Sequence, residues 1–213
     1  MKIKYPKTMH LPWSRSYTDD DKILRSTAHF IGQEVVVTEK MDGENTTMYP
    51  DHIHARSLDS KDHSSRHYVK TLHGGIRYLI PEGWRLCGEN MYAKHSIKYE
   101  ALPGYFMLFS AWNDRNVCLS WDETEKLAHR LHIPTVPVLY RGIWDEQAVK
   151  SCYTRQSNCG GEQEGYVIRL TNSFGYEDFR SNLAKFVRKN HVQTDEHWLS
   201  RPVEPNELAK PLP

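Results

Sequence analysis

Residues 37–47 read VTEKMDGENTT. Val35 and Val36 lead in, Asp42-Gly43 supplies a turn, and Thr46 and Thr47 suit a second strand. The stretch therefore predicts strand–turn–strand. Lys40 stands at the lip of that unit, beside Glu39 and two residues before Asp42. A solvated lysine would make this an ordinary hairpin. A buried one is costly to desolvate unless it sheds its proton or finds partners.

Outward from this unit, alternating apolar and polar residues predict strands at 34–39, 45–49, 52–57, 84–90, 105–112, 116–119, 136–141 and 164–170. Leu183, Lys185 and Val187 fall on one face of LAKFV, which predicts a further strand. Helices are expected over 19–30, 64–79, 120–131 and 145–154; Ser120 and Glu123 form a capping box for the third. Strands in quantity with helices interspersed, and no strict strand–helix alternation, give an α+β fold of mainly antiparallel sheets with flanking helices.

The chain has 213 residues and a formal net charge of +1, which excludes a polybasic tail protein but not a local basic groove. None of its four cysteines makes a CxxC pair, so neither a zinc ribbon nor a redox pair is suggested. No apolar run reaches signal or membrane-span length. A reduced, soluble, cytoplasmic protein is the expectation. Twelve histidines lack an HExxH pattern or a nearby cysteine cluster and read as scattered surface residues. Lys94, His95 and Lys98 read as a basic surface loop, with RNA-backbone contact as the alternative. Pro202, Pro205, Pro211 and Pro213 mark 201–213 as a proline-rich tail, extended or disordered.

A neutral lysine amine lies about 4.6 kcal/mol uphill at pH 7. If Lys40 is a nucleophile, the chain must supply cations, and the electrophile must be rich in negative charge. A nucleoside triphosphate with a divalent metal meets both demands. The chain holds matching parts. Arg56-Ser57 ends the third strand, Glu89 ends another, Glu164-Gly165 opens EGYVIR, and Lys185 precedes Arg188 and Lys189. Phe106 and Phe109 are three apart on a strand, so only one can line a pocket, and Phe106 is assigned to the core.

In order, KMDGEN, ARS, GEN, YFMLF, EGYVIR and LAKFVRKNH resemble the ATP-dependent RNA ligase family of covalent nucleotidyltransferases. The resemblance spans roughly residues 1–192, because HLPWS at 10–14 also looks like one branch of that family. It implies an ATP-grasp-like nucleotidyltransferase domain over 1–200, built around a nucleotide cleft. The tail at 201–213 would follow, with no C-terminal OB or helical domain. Lys40 would attack the α-phosphate of ATP to form lysyl–AMP. Glu39 would lie against the adenine edge. Asp42 and Asn45 would order the loop, and Asn45 would help hold the ribose or metal waters. Arg56 would contact the nucleotide or the RNA 5′-phosphate. Glu89 would bind the ribose, Phe109 would stack on adenine, and Glu164 would hold Mg2+ or Mn2+. Lys185 would bind the α-phosphate and depress the pKa of Lys40. Arg188 would replace the second lysine that the family's last motif often carries. AMP would pass to an RNA 5′-phosphate, and a 3′-hydroxyl would displace it, with a partner subunit supplying any missing C-terminal surface. Two alternatives stay open: another acceptor such as a DNA nick or a cap, and a nucleotide- or RNA-end-binding subunit without turnover.

Overall fold

The computed structural model describes residues 2–17, 21–59, 61–189 and 202–210. In chain order the strands are β1 (Met9–His10), β2 (Glu34–Lys40), β3 (Glu44–Met48), β4 (Ile53–Ala55), β5 (Arg85–Asn90), β6 (Phe106–Trp112), β7 (Val117–Cys118), β8 (Val138–Ile143), β9 (Gly165–Leu170), β10 (Phe174–Gly175) and β11 (Leu183–Val187). The helices are α1 (His67–Ile76), α2 (Trp121–Leu131), α3 (Glu146–Ser151) and α4 (Phe179–Asn182). Val35, Val36 and Val37 are all fully buried. Val35 and Val37 pack with Tyr166, Ile168 and Phe186, while Val36 packs with Met41, Met91 and Tyr99. A strand covered on both faces belongs inside a sheet, and β2 lies between β9 and β8.

One sheet runs β1-β11-β9-β2-β8 and the other β10-β7-β6-β5-β3-β4. Their pairings are antiparallel except β1 with β11. The mixed α+β architecture of two mainly antiparallel sheets expected from the sequence is the one observed. The chain crosses between the sheets at Met41–Gly43, directly after Lys40. Helix α2 begins at the capping box: Ser120 Oγ accepts the Glu123 N–H and Glu123 Oε2 accepts the Ser120 N–H. Its apolar stripe of Leu127, Ala128 and Leu131 packs on Phe106 and Leu108 of the second sheet.

The helix expected over 19–30 does not form in the described part of that stretch. The His10 N–H donates to Lys22 O at 2.7 Å and the Leu24 N–H to His10 O at 2.8 Å. This segment therefore pairs along the open side of β1, and a one-turn 3-10 helix at Ala28–Phe30 is all the helix there. An unpaired sheet edge outweighed weak helix propensity. Residues 202–210 are extended and docked. Asn206 is buried, its Nδ2 donating to Met91 O at 2.8 Å and its Oδ1 accepting the Tyr99 N–H at 2.9 Å. Among the described residues no helix is long and apolar enough to cross a membrane.

Candidate active site

Three features stop β2 at Lys40 and fix the loop behind it. A Cβ on Gly43 would come within 2.6 Å of Asn90 O, so only glycine lets β5 close on this turn. Asp42 Oδ2 accepts the Ser96 N–H at 2.8 Å, the Ser96 hydroxyl at 2.6 Å and the Ile97 N–H at 2.8 Å. The Asp42 N–H donates to Tyr99 Oη at 3.0 Å. Lys94 and Lys98 of the same loop pair with Glu204 and Glu207 of the C-terminal segment. The basic loop thus braces Asp42 while its lysines hold the docked tail.

Lys40 stands opposite Gly165 in the β2–β9 register, and its Nζ pairs with the carboxylate of Glu164, which is fully buried. Gly165 also lets β11 close on β9 beside this pair, because a Cβ there would collide with Phe186 O. On the second sheet, Glu89 of β5 is the cross-strand neighbour of Asn45 on β3, and the Gly43 N–H donates to its carboxylate. The Arg56 N–H is bonded to Asn45 O at 3.0 Å. Lys185 on β11 completes the ring of charges. It is 9% exposed, with Asp21 Oδ1 3.7 Å from its Nζ.

Burial pushes Glu89 up to about 8, against the pull of Lys40. Burial also lowers Lys185 to about 8, and the positive charges of Lys40 and Arg56 reinforce the fall. Burial works in the same sense on Lys40, but there Glu164, Glu89 and Asp42 together outweigh it and raise the pKa. The acids around Lys40 therefore favour its ammonium form, and the positive charge of Lys185 pulls the other way. The acids nearest Lys40 dominate, and it is Lys185 that gives way.

The other sequence-predicted residues lie around this ring. Glu39 is buried and takes the Asn158 N–H at 3.0 Å, while its Oε1 has no hydrogen-bond partner among the described residues. Phe106 is core, lying over Gly88, whereas Phe109 is half-buried with the Tyr5 ring edge-on at 5.2 Å. Arg188 directs its guanidinium to Glu162 at 2.7 Å.

A family model described as RNA ligase matches residues 33–187. The chain belongs to the RNA ligase family. Solved structures with this fold include a lysine-to-alanine variant of the Naegleria gruberi RNA ligase with ATP and Mn, at 20% identity and a TM-score of 0.56, covering 87% of this chain and 61% of that one. The same ligase with PPi matches at 20% identity and 0.57, covering 88% and 61%. A lysine-to-methionine variant with AMP and Mn matches at 20% and 0.56, covering 88% and 62%. The chain spans about three fifths of the length of these ligases. No curated protein sequence matches it.

Within the RNA ligase fold, the lysine's loop depends on residues that sequence reasoning passed over: Ser96, Ile97, Tyr99 and Asn206. They carry no motif, because their work is done by backbone groups and by contacts distant in sequence. The histidines also depart from expectation, since His10, His54 and His73 are buried. His54 Nδ1 lies 2.7 Å from Ala55 O and His73 Nε2 2.6 Å from Tyr49 O, so backbone carbonyls accept the ring protons.

Proposed function

We propose that the protein is an ATP-dependent RNA ligase in which Lys40 is the nucleophile. The observation that carries this reading is the ion pair between Lys40, at the end of the central strand, and the fully buried Glu164, with Glu89 and Lys185 beside it. The lysine amine, once deprotonated, attacks the α-phosphorus of ATP. The Nζ–P bond forms, the P–O bond to pyrophosphate breaks, and pyrophosphate leaves with the electron pair. A second proton then leaves Nζ to give the phosphoramidate. AMP passes from Lys40 to an RNA 5′-phosphate, and a 3′-hydroxyl displaces it as the strand is sealed. Lys185 holds the α-phosphate, Glu89 the ribose, Phe109 one face of the adenine and Glu39 its edge, with Asn45 and Arg56 lining the phosphate side. Arg188, drawn to Glu162, has a smaller part in this scheme.

Among the described residues no three His, Cys, Asp or Glu side chains form a metal cage. Glu164 and Glu89 offer hard carboxylate oxygens, which suits a cation that takes its other ligands from phosphate and water. Mg2+ or Mn2+ fits that donor set, and when bound it would supply charge neutralisation beside the triphosphate.

The test is incubation with labelled ATP and magnesium, followed by denaturation. Wild type should carry acid-labile label, with a mass shift of one adenylate mapped to Lys40, and Lys40→Ala should carry none. Equal labelling of both proteins, or none of wild type across pH and metals, would overturn the reading. Comparing ATP with GTP, and nicked RNA with nicked DNA, separates RNA sealing from transfer to another acceptor. Adduct without sealing, relieved by an added protein, would identify a subunit of a larger assembly.

A further inference from the structure

Parallel pairing of β1 with β11 sets His10 opposite Lys185. His10 is 1% exposed, and its Nδ1 lies 2.8 Å from Ser14 Oγ. That oxygen also accepts the Val187 N–H at 3.0 Å, and its own hydroxyl hydrogen is free to go to Nδ1, the tautomer in which Nε2 carries the ring proton. Nε2 has no partner within hydrogen-bond distance among the described residues. It stands 3.6 Å from Asp21 Oδ1, the same oxygen that lies 3.7 Å from Lys185 Nζ. Two buried donors on adjacent strands thus flank one anionic oxygen without closing a hydrogen bond to it. Burial, with the charge of Lys185, lowers the imidazole to about 4, so the ring is a neutral donor at pH 7. An N–H held 3.6 Å from the Asp21 carboxylate is poised to close on a nearer anionic oxygen.

We propose that His10 is a second phosphate-binding donor, its Nε2–H acting with Lys185 Nζ on a non-bridging oxygen of the phosphoryl group that Lys40 receives. This rests on the nucleotidyl-transfer reading above. The nearby carboxylate oxygen of Asp21 displays the charge that the two donors are arranged to receive. A neutral imidazole suits the position, because a further cation would deepen the repulsion already felt by Lys185.

His10→Leu removes the donor and His10→Gln keeps an N–H near the same place. In the full chain, lysyl–AMP formation should fall about 100-fold in His10→Leu, as for the loss of one oxyanion donor, and recover in part in His10→Gln. The two diastereomers of ATP with sulfur on the α-phosphorus give a readout that a structural role would not move. One should be disfavoured by wild type and lose that disadvantage in His10→Leu. Unchanged labelling with an unchanged diastereomer preference overturns the proposal. If neither variant folds, proton–nitrogen spectra of histidine-labelled wild type decide. Adduct formation should bring one new exchange-protected imidazole N–H resonance, and adduct without it overturns the proposal. Absence of any adduct on wild type instead defeats the nucleotidyl-transfer reading.

Discussion

Replacing Lys185 by methionine should disarm the protein and make it more stable. The ammonium is desolvated in the cleft and repelled by Lys40, so its pKa drops from 10.5 to about 8. At 1.36 kcal/mol per pH unit, that drop is a native-state penalty of about 3 kcal/mol. Side-chain exposure is only 11%, so water screens little of it. That penalty is already net of the favourable pull of Asp21, 3.7 Å from the ammonium. Methionine fills a similar volume, and the net gain at pH 7 is about 3 kcal/mol, or roughly 6–12 °C in Tm for a chain of this size. The pH dependence has a definite sign. Between pH 8 and 10.5 the unfolded chain still holds a proton on Lys185 that the native chain has released. Wild type therefore gains stability from this group as pH rises, and Lys185→Met does not. The gap is full below the native pKa and closes toward the unfolded one. Urea unfolding of both proteins at pH 7 and near pH 10 measures it. A variant less stable than wild type at pH 7, or a gap that persists unchanged near pH 10, refutes the reasoning.

Asp42→Ala strips three donors of a charged acceptor and leaves the buried Ile97 N–H unsatisfied, so it should cost about 2–3 kcal/mol, read by thermal melting, and slow adduct formation. Gly165→Ala forces a Cβ onto Phe186 O; loss of the β9–β11 register should lower the melting point more than Asp42→Ala does. Asn206→Ala unties residues 202–210 from Met91 and Tyr99; a loss of about 2 kcal/mol is expected, with slower adduct formation because Tyr99 also holds the Asp42 N–H. Chelation of divalent metal before ATP is added should abolish labelling of Lys40 at pH 7, and full labelling under chelation would count against the charge argument below.

Much of this was legible in the sequence. The valines before Lys40, the clean alternation of 165–170 and the Ser120–Glu123 box report local physics, and each element formed where its pattern lay. Lys40, Glu89, Glu164 and Lys185 also converge, because strand ends and turns fix where those side chains emerge. The charge on Lys40 was not legible: its sign depends on which acids reach it across two sheets, and spacing along the chain does not encode that distance. Asp21 falls in a stretch whose composition suits a helix, yet pairing with β1 draws it to Lys185. Asn206 sits in a proline-rich tail whose composition gives no sign that one asparagine is fully bonded. The burial of His10 depends on a parallel pairing that residues near position 10 do not announce.

The resting charge of the site limits how it can be activated. At about 4 Å and an effective dielectric near 20, one carboxylate favours the lysine ammonium by about 4 kcal/mol. Glu164 leads the groups that hold the proton on Lys40, and it is fully buried. A triphosphate entering alone would add negative charge and hold the proton more firmly, so substrate binding by itself works against nucleophilicity. Lys185 and Arg56 bring positive charge, but the lowered pKa of Lys185 means the site already resists more of it from side chains. A neutral donor such as His10 can bind phosphate without adding to that strain. A divalent cation held by Glu164 beside the nucleotide would supply the remaining compensation. On the proposed reading, the ion pair of Lys40 with Glu164 is then a resting state, and nucleophilicity depends on the counter-charge as much as on the nucleotide.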